Sequence, residues 1–323
     1  MRNITIAAII AIHILNMALF LYKVKPHPVQ SLPRQEFSDE NQQEDLPIEE
    51  QKEVVPEFVK VPVLKQHSEK SVYGDVMSHS QERPFGDQNG RSTNAHETAH
   101  GIHSYLRNKY TSPQKRVNGF YALDGRGVIV QEPKLRKNQI ANFVPKSFRE
   151  FCADRYNLYV TGQREWDDTP LYIYDEWTAY IIGAKCNVED VQAGRYRGGW
   201  TDGVAGSLDF SMFAIATAMA VKQHDPQYWE TNTQFRNYTI WALKEAQKNF
   251  EVGRTMSQFK WDKQDSLLNK FLTSSDAAAM RKFTAENLNG AWLDSKVSLS
   301  NENYTVEQRS PVGRDVTVPL RRY

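Results

Sequence analysis

The stretch "TNAHETAHGIHS", residues 93–104, places two histidines four positions apart, a glutamate directly after the first, and a third histidine three positions further on. Residues four apart in a helix lie on one face about 6 Å apart, so a helix here aims the imidazoles of His96 and His100 at one point. Neutral imidazole is a good ligand for Zn2+. Glu97, one step round the helix, does not join them as a ligand. It can sit beside a metal-bound water, take its proton and pass it to a leaving amine. Ser92 or Thr93 is available to cap the helix, which is expected to run to about residue 109.

A third ligand has to come from elsewhere. His103 lies almost on the same face, but about 10 Å along the axis from His96. It is expected to be a polar neighbour or a hydrogen-bond donor to a ligand. Downstream, in "YIYDEWTAYIIGA" (172–184), Glu176 sits among Tyr172, Ile173, Trp177, Ala179, Ile181 and Ile182. A carboxylate in so apolar a helix costs several kcal/mol to bury unless it is paired or coordinated. A metal answers that cost, and an arginine partner would answer it too. Asp175 is the alternative ligand, and otherwise an acceptor for an imidazole N–H. Glu150 and Asp154 fit less well, because arginines stand beside them in "FREFCADRYN".

His96-Glu97-Thr98-Ala99-His100, followed by Asp175-Glu176-Trp177-Thr178-Ala179-Tyr180, resembles the gluzincin zinc metallopeptidases, whose ligands are two histidines and a glutamate on a later helix. The resemblance implies a zinc ion held by His96, His100 and Glu176, with Glu97 as general base and a peptide or protein as substrate. Glu176 stands 76 residues beyond His100, a longer separation than compact members of that group have, so an inserted hairpin and helix must fill it. The metzincin continuation is absent, since His103 stands where that pattern needs Gly and Leu106 where it needs His. Such peptidases also place a Tyr or His against the oxyanion. Tyr180 is the nearest option, with Tyr121 and His224 as others, and each has an ordinary packing or surface role as its other reading.

Two further functions fit the same residues: a non-catalytic binding or scaffold domain tied together by zinc, and hydrolysis of another amide such as cell-wall peptide. Structural zinc sites usually have four protein ligands, often cysteines, and Cys152 and Cys186 lack C-x-x-C spacing. These two either pair in an exported domain or stay as buried thiols. The Gly-rich stretch 193–207 lacks the Gly-Lys-Ser/Thr ending of a phosphate loop, so nucleotide binding is not expected.

The 323-residue chain carries 40 basic and 39 acidic residues, a net charge of +1 that gives no reason to expect nucleic acid as a partner. At 40% apolar and 11% aromatic, it has enough material for a substantial core. Residues 4–22 contain no charged side chain, and nineteen helical residues span roughly 28 Å, close to the hydrocarbon thickness of a bilayer. Residues 1–25 are therefore expected to be a signal anchor or a cleaved signal peptide. The domain would be exported, either tethered to the membrane on its periplasmic or extracellular side or secreted. Residues 26–71 read as a Pro-, Glu- and Gln-rich disordered linker, with an alternating run at 54–63 that suits an edge strand. The domain proper is expected at 72–296, and a polar tail at 297–323.

The expected fold is α+β and mainly helical, a zincin-like domain with a small hairpin. That hairpin is expected at 116–133 around Asp124-Gly125. A helix is expected from residue 145, and another is capped by Thr169, starts at Pro170 and runs to about 186. A helix at 208–223 is apolar nearly all round and so buried. Helices at 226–252, 262–272 and 276–288 complete the domain.

Overall fold

The computed structural model describes residues 54–81, 90–198, 201 and 203–295. The expected signal or anchor segment (1–25), most of the expected linker and the tail from 297 lie outside the described residues. Among the described residues, no helix is long and apolar enough to cross a membrane.

The domain is mainly helical, with one three-stranded antiparallel sheet of order β1-β3-β2. The strands are β1 (Val59–Lys60), β2 (Val117–Tyr121) and β3 (Arg126–Gln131). The hairpin forms as expected, in register from Val117 opposite Gln131 to Tyr121 opposite Gly127. Its turn takes Leu123, Asp124 and Gly125 through positive φ (63°, 54° and 66°), which suits Asp and Gly. β1 is the edge strand of the alternating run 54–63 and pairs Val59 with Gly127. It falls inside the stretch 26–71, and Val61 just after it is buried against the domain.

Seven longer helices carry the rest: α1 (Val72–His79), α2 (Arg91–Tyr110), α3 (Tyr172–Gln192), α4 (Ala205–His224), α5 (Thr233–Gly253), α6 (Asp262–Thr273) and α7 (Ala278–Asn287). Several boundaries differ from the sequence expectation, α3 running on to Gln192 past the expected 186 and α4 starting at Ala205 before the expected 208. α2 starts at Arg91 after Gly90, whose φ of 81° turns the chain into the helix, so neither Ser92 nor Thr93 caps it. α3 starts at Tyr172 rather than Pro170. The Thr169 hydroxyl is engaged by Arg116, and the preceding turn closes through Tyr172 N–H on the Thr169 carbonyl at 2.9 Å. The single helix expected at 226–252 is broken at Asn232, whose side chain caps α5 by accepting from Phe235 N–H at 3.0 Å.

α3 is the hub of the fold. Ala179, Ile182 and Cys186 join Val76 of α1 and Ala95, Ala99, Ile102 and Leu106 of α2 in one apolar cluster. Ile173, Tyr174, Trp177, Ile181 and Ala184 join the larger core with α4 and α5. α4 is buried along nearly its whole length, as its sequence implies. β2 crosses α2 so closely that a Cβ on Gly119 would lie 2.2 Å from Leu106 Cβ, so only glycine fits there. Cys152 and Cys186 are free thiols, not a disulfide. The effect of this packing is to lay the His96–His103 face of α2 against the first turns of α3.

Candidate metal centre

The two helices bring the residues of the two sequence motifs together. His96 Nε2 and His100 Nε2 are 3.1 Å apart. Glu176 Oε2 lies 3.9 Å from the first and 3.7 Å from the second. Ligand atoms held tetrahedrally at about 2.0–2.1 Å from one zinc ion lie ~3.3 Å from one another, so this triangle has the right size to hold one. Glu176 is 1% exposed, while the His100 side chain keeps 20% of its surface open to solvent. The site therefore has a buried floor and an accessible rim.

Asp175, one residue before Glu176, faces the outer side of the histidines. Its Oδ1 lies 2.5 Å from His100 Nδ1 and 3.0 Å from His103 Nδ1, and Arg107 Nη1 is 3.4 Å from Oδ2. The separations to the two imidazoles are hydrogen bonds. At 2.5 Å the His100 contact is shorter than the spacing of atoms sharing a metal ion, so His100, His103 and Asp175, whose atoms also converge, are read as a bonded cluster behind the triangle. An imidazole that donates its Nδ1–H to a carboxylate presents a bare Nε2 lone pair, here aimed at Glu176 and His96. His103 is thus where helix geometry puts it, on Asp175 and away from the triangle.

The electrostatics follow from this layout. Burial opposes protonation of His100, but the carboxylates of Glu176, Asp175 and Glu97 outweigh it and raise its pKa to about 10. Burial favours the neutral acid at Asp175, yet His103 and His100 hold it well below the usual aspartate range. Burial pushes His103 below the ordinary histidine value. Negative charge is in excess around the imidazoles.

Glu97 lies on α2 beside the histidines, 8% exposed, close enough to act on His100. Tyr180 meets His96 edge-on with ring centroids 4.7 Å apart and stacks on Phe210 at 4.6 Å. The other two oxyanion candidates are elsewhere. The Tyr121 phenol donates to Asp75 Oδ2 at 2.7 Å and sits 2.8 Å from His79 Nδ1, while His224 ends α4 at the surface, against Phe143.

Two residues near Glu176 were not singled out by the sequence. The Tyr172 phenol donates to Glu176 Oε1 at 2.7 Å, and Tyr159 is buried close to both Glu176 and Tyr180. The i, i+4 spacing of Tyr172 and Glu176 is visible in the sequence, but a tyrosine in an apolar helix reads there as packing. A cavity of about 990 Å3 lies between the 63–79 segment, the C-terminal part of α3 and α5. None of His96, His100, His103, Asp175 and Glu176 lines it, and among the described residues no three ligand atoms converge there, so the metal centre is the stronger functional candidate. Compared with protein-family models, with curated proteins and with solved structures, the chain matches none.

Proposed function

We propose that this chain is a zinc-dependent hydrolase of the gluzincin type that cleaves peptide bonds in a peptide or protein substrate. Its mainly helical domain would be a zincin-like one, and residues 1–25 would tether it to a membrane or direct its export. The observation that carries the proposal is the convergence of His96 Nε2, His100 Nε2 and Glu176 Oε2 within 3.9 Å of one another.

His96, His100 and Glu176 would hold the zinc, which when bound supplies Lewis acidity to a water and to the substrate carbonyl. The remaining steps belong to the chain's own groups. Glu97 accepts the proton of the attacking water on its carboxylate and returns it to the nitrogen of the leaving amine. Asp175 fixes the His100 ring and keeps its Nδ1 protonated through the 2.5 Å contact. Tyr180, whose ring meets His96, would be the group that donates to the developing oxyanion.

The test is hydrolysis of a mixed peptide library by the zinc-replete protein. Chelation should abolish cleavage and added zinc restore it. Glu97→Gln should keep its zinc and lose on the order of 10²–10⁴-fold in rate. A zinc-replete protein that cleaves nothing, or a Glu97→Gln variant as fast as wild type, would refute the proposal.

A further inference from the structure

The carboxylate of Glu176 has two oxygens, and the surrounding residues treat them differently. Oε2 faces His96 and His100 at 3.9 and 3.7 Å. Oε1 accepts the Tyr172 phenol at 2.7 Å, with Tyr172 and Glu176 both buried. The Tyr172 ring is itself clamped. It stacks on Trp166 with centroids 4.7 Å apart and planes 5° from parallel, and Trp166 is set there by its backbone N–H donating to the Gln163 carbonyl at 3.0 Å.

Gln163 is held in turn. Its backbone is left-handed at φ 47°, ψ 58°, a conformation that persists in a non-glycine residue where the surroundings over-determine it. The holding group is Lys137, fully buried, whose Nζ donates to the Gly162 carbonyl at 2.5 Å and to the Gln163 carbonyl at 3.0 Å. A buried lysine and a left-handed glutamine thus have one shared consequence, the orientation of the Tyr172 phenol.

We propose that Lys137, Gln163 and Tyr172 are positioning residues that keep Oε1 of Glu176 engaged, so that Oε2 alone meets the metal and a coordination position stays open for water and substrate. The proposal rests on the metal-site reading given above. A glutamate with both oxygens available can chelate an ion and fill the position that a catalytic site keeps open. Hydrogen-bond partners of ligands typically change metal affinity by about 10–100-fold when removed.

The experiment measures zinc affinity by competition with a chromophoric chelator, and the visible absorption of the Co2+-substituted protein. The latter weakens when coordination rises above four. Tyr172→Phe should weaken zinc binding by about 10–100-fold and lower the Co2+ absorption as Oε1 joins the ion. Trp166→Ala removes the stack on the Tyr172 ring from a half-buried position and leaves the phenol in place, so the chain should still fold while binding zinc more weakly. Should Tyr172→Phe fail to fold, Trp166→Ala decides the matter by the same two readouts. If wild type binds zinc and the variants match it in affinity and Co2+ spectrum, this proposal falls and the metal site stands. If wild type binds no zinc, both fall together.

Discussion

The two ends of the α2–α3 contact both gather charged side chains around a buried carboxylate, and they satisfy it differently. At one end Arg91 of α2 donates from Nε to Asp190 Oδ2 at 2.7 Å and from Nη1 to Glu69 Oε2 at 3.0 Å. Arg195 adds a 2.8 Å bond to Asp190 and approaches Glu69 and Glu189 at 3.4 and 3.6 Å. Each carboxylate there faces a guanidinium. At the other end Glu97, Asp175 and Glu176 gather around histidines, and Arg107 reaches Asp175 at 3.4 Å. That end is closed by a proton on His100, whose pKa rises to about 10, or by a divalent cation in its place. Burial of charge alone therefore does not mark a site. Ligand atoms that converge on one point do.

The largest predicted effect separates the two ends by metal affinity. Glu176→Ala should weaken zinc binding on the order of 1,000-fold or more, because it removes a ligand rather than a partner of one. Chelator competition reads this directly. Asp190→Ala should leave zinc affinity unchanged and destabilise the fold by about 2–3 kcal/mol, since it strips the shared acceptor from two arginines. Urea unfolding measures that. Zinc loss in the Asp190 variant would erase the distinction between the ends.

A third buried carboxylate sharpens the comparison. Glu132, 8% exposed, accepts from Leu171 N–H at 2.9 Å and from the Asn118 amide, and burial raises its pKa from 4.5 to about 7. Its solution is a proton. Below pH 4.5 both folded and unfolded chains hold that proton. Between 4.5 and 7 the unfolded chain releases it while the folded chain keeps it, so stability falls as pH rises and levels off above 7. The loss amounts to up to about 3 kcal/mol. Glu132→Gln should flatten this slope when unfolding is compared at pH 5 and pH 8. The smallest effect tests the scaffold behind both ends: Gly119→Ala should cost about 1–3 kcal/mol by forcing β2 off Leu106, with zinc affinity reduced only as far as the α2–α3 packing loosens.

How much of this was legible beforehand depended on whether the signal was local. The HExxH helix, the Asp124-Gly125 hairpin and the buried helix α4 were readable, because periodicity, turn chemistry and uniform apolarity act within a few residues. The Asn232 break was not read because apolar residues flank it on both sides, although the polar run Glu230-Thr231-Asn232-Thr233-Gln234 and a cap-forming Asn mark it in the sequence. Thr169 had the composition of a cap but was drawn to Arg116, more than fifty residues away in sequence. Pairing of Glu176 with the histidines was inferable from burial cost. The roles of Tyr172, Gln163 and Lys137 were not, because each depends on a tertiary contact that no spacing encodes. The anchor expectation and the linker up to residue 53 lie outside the described residues, while residues 54–71 carry β1, buried Val61 and the Ser71 cap instead of a linker.

The most direct measurement of the central claim is metal stoichiometry by native mass spectrometry after reconstitution with zinc. Wild type and Glu97→Gln should each carry one zinc per chain, and Glu176→Ala none. Wild type without zinc, or Glu176→Ala retaining it at wild-type affinity, would contradict the metal centre described here.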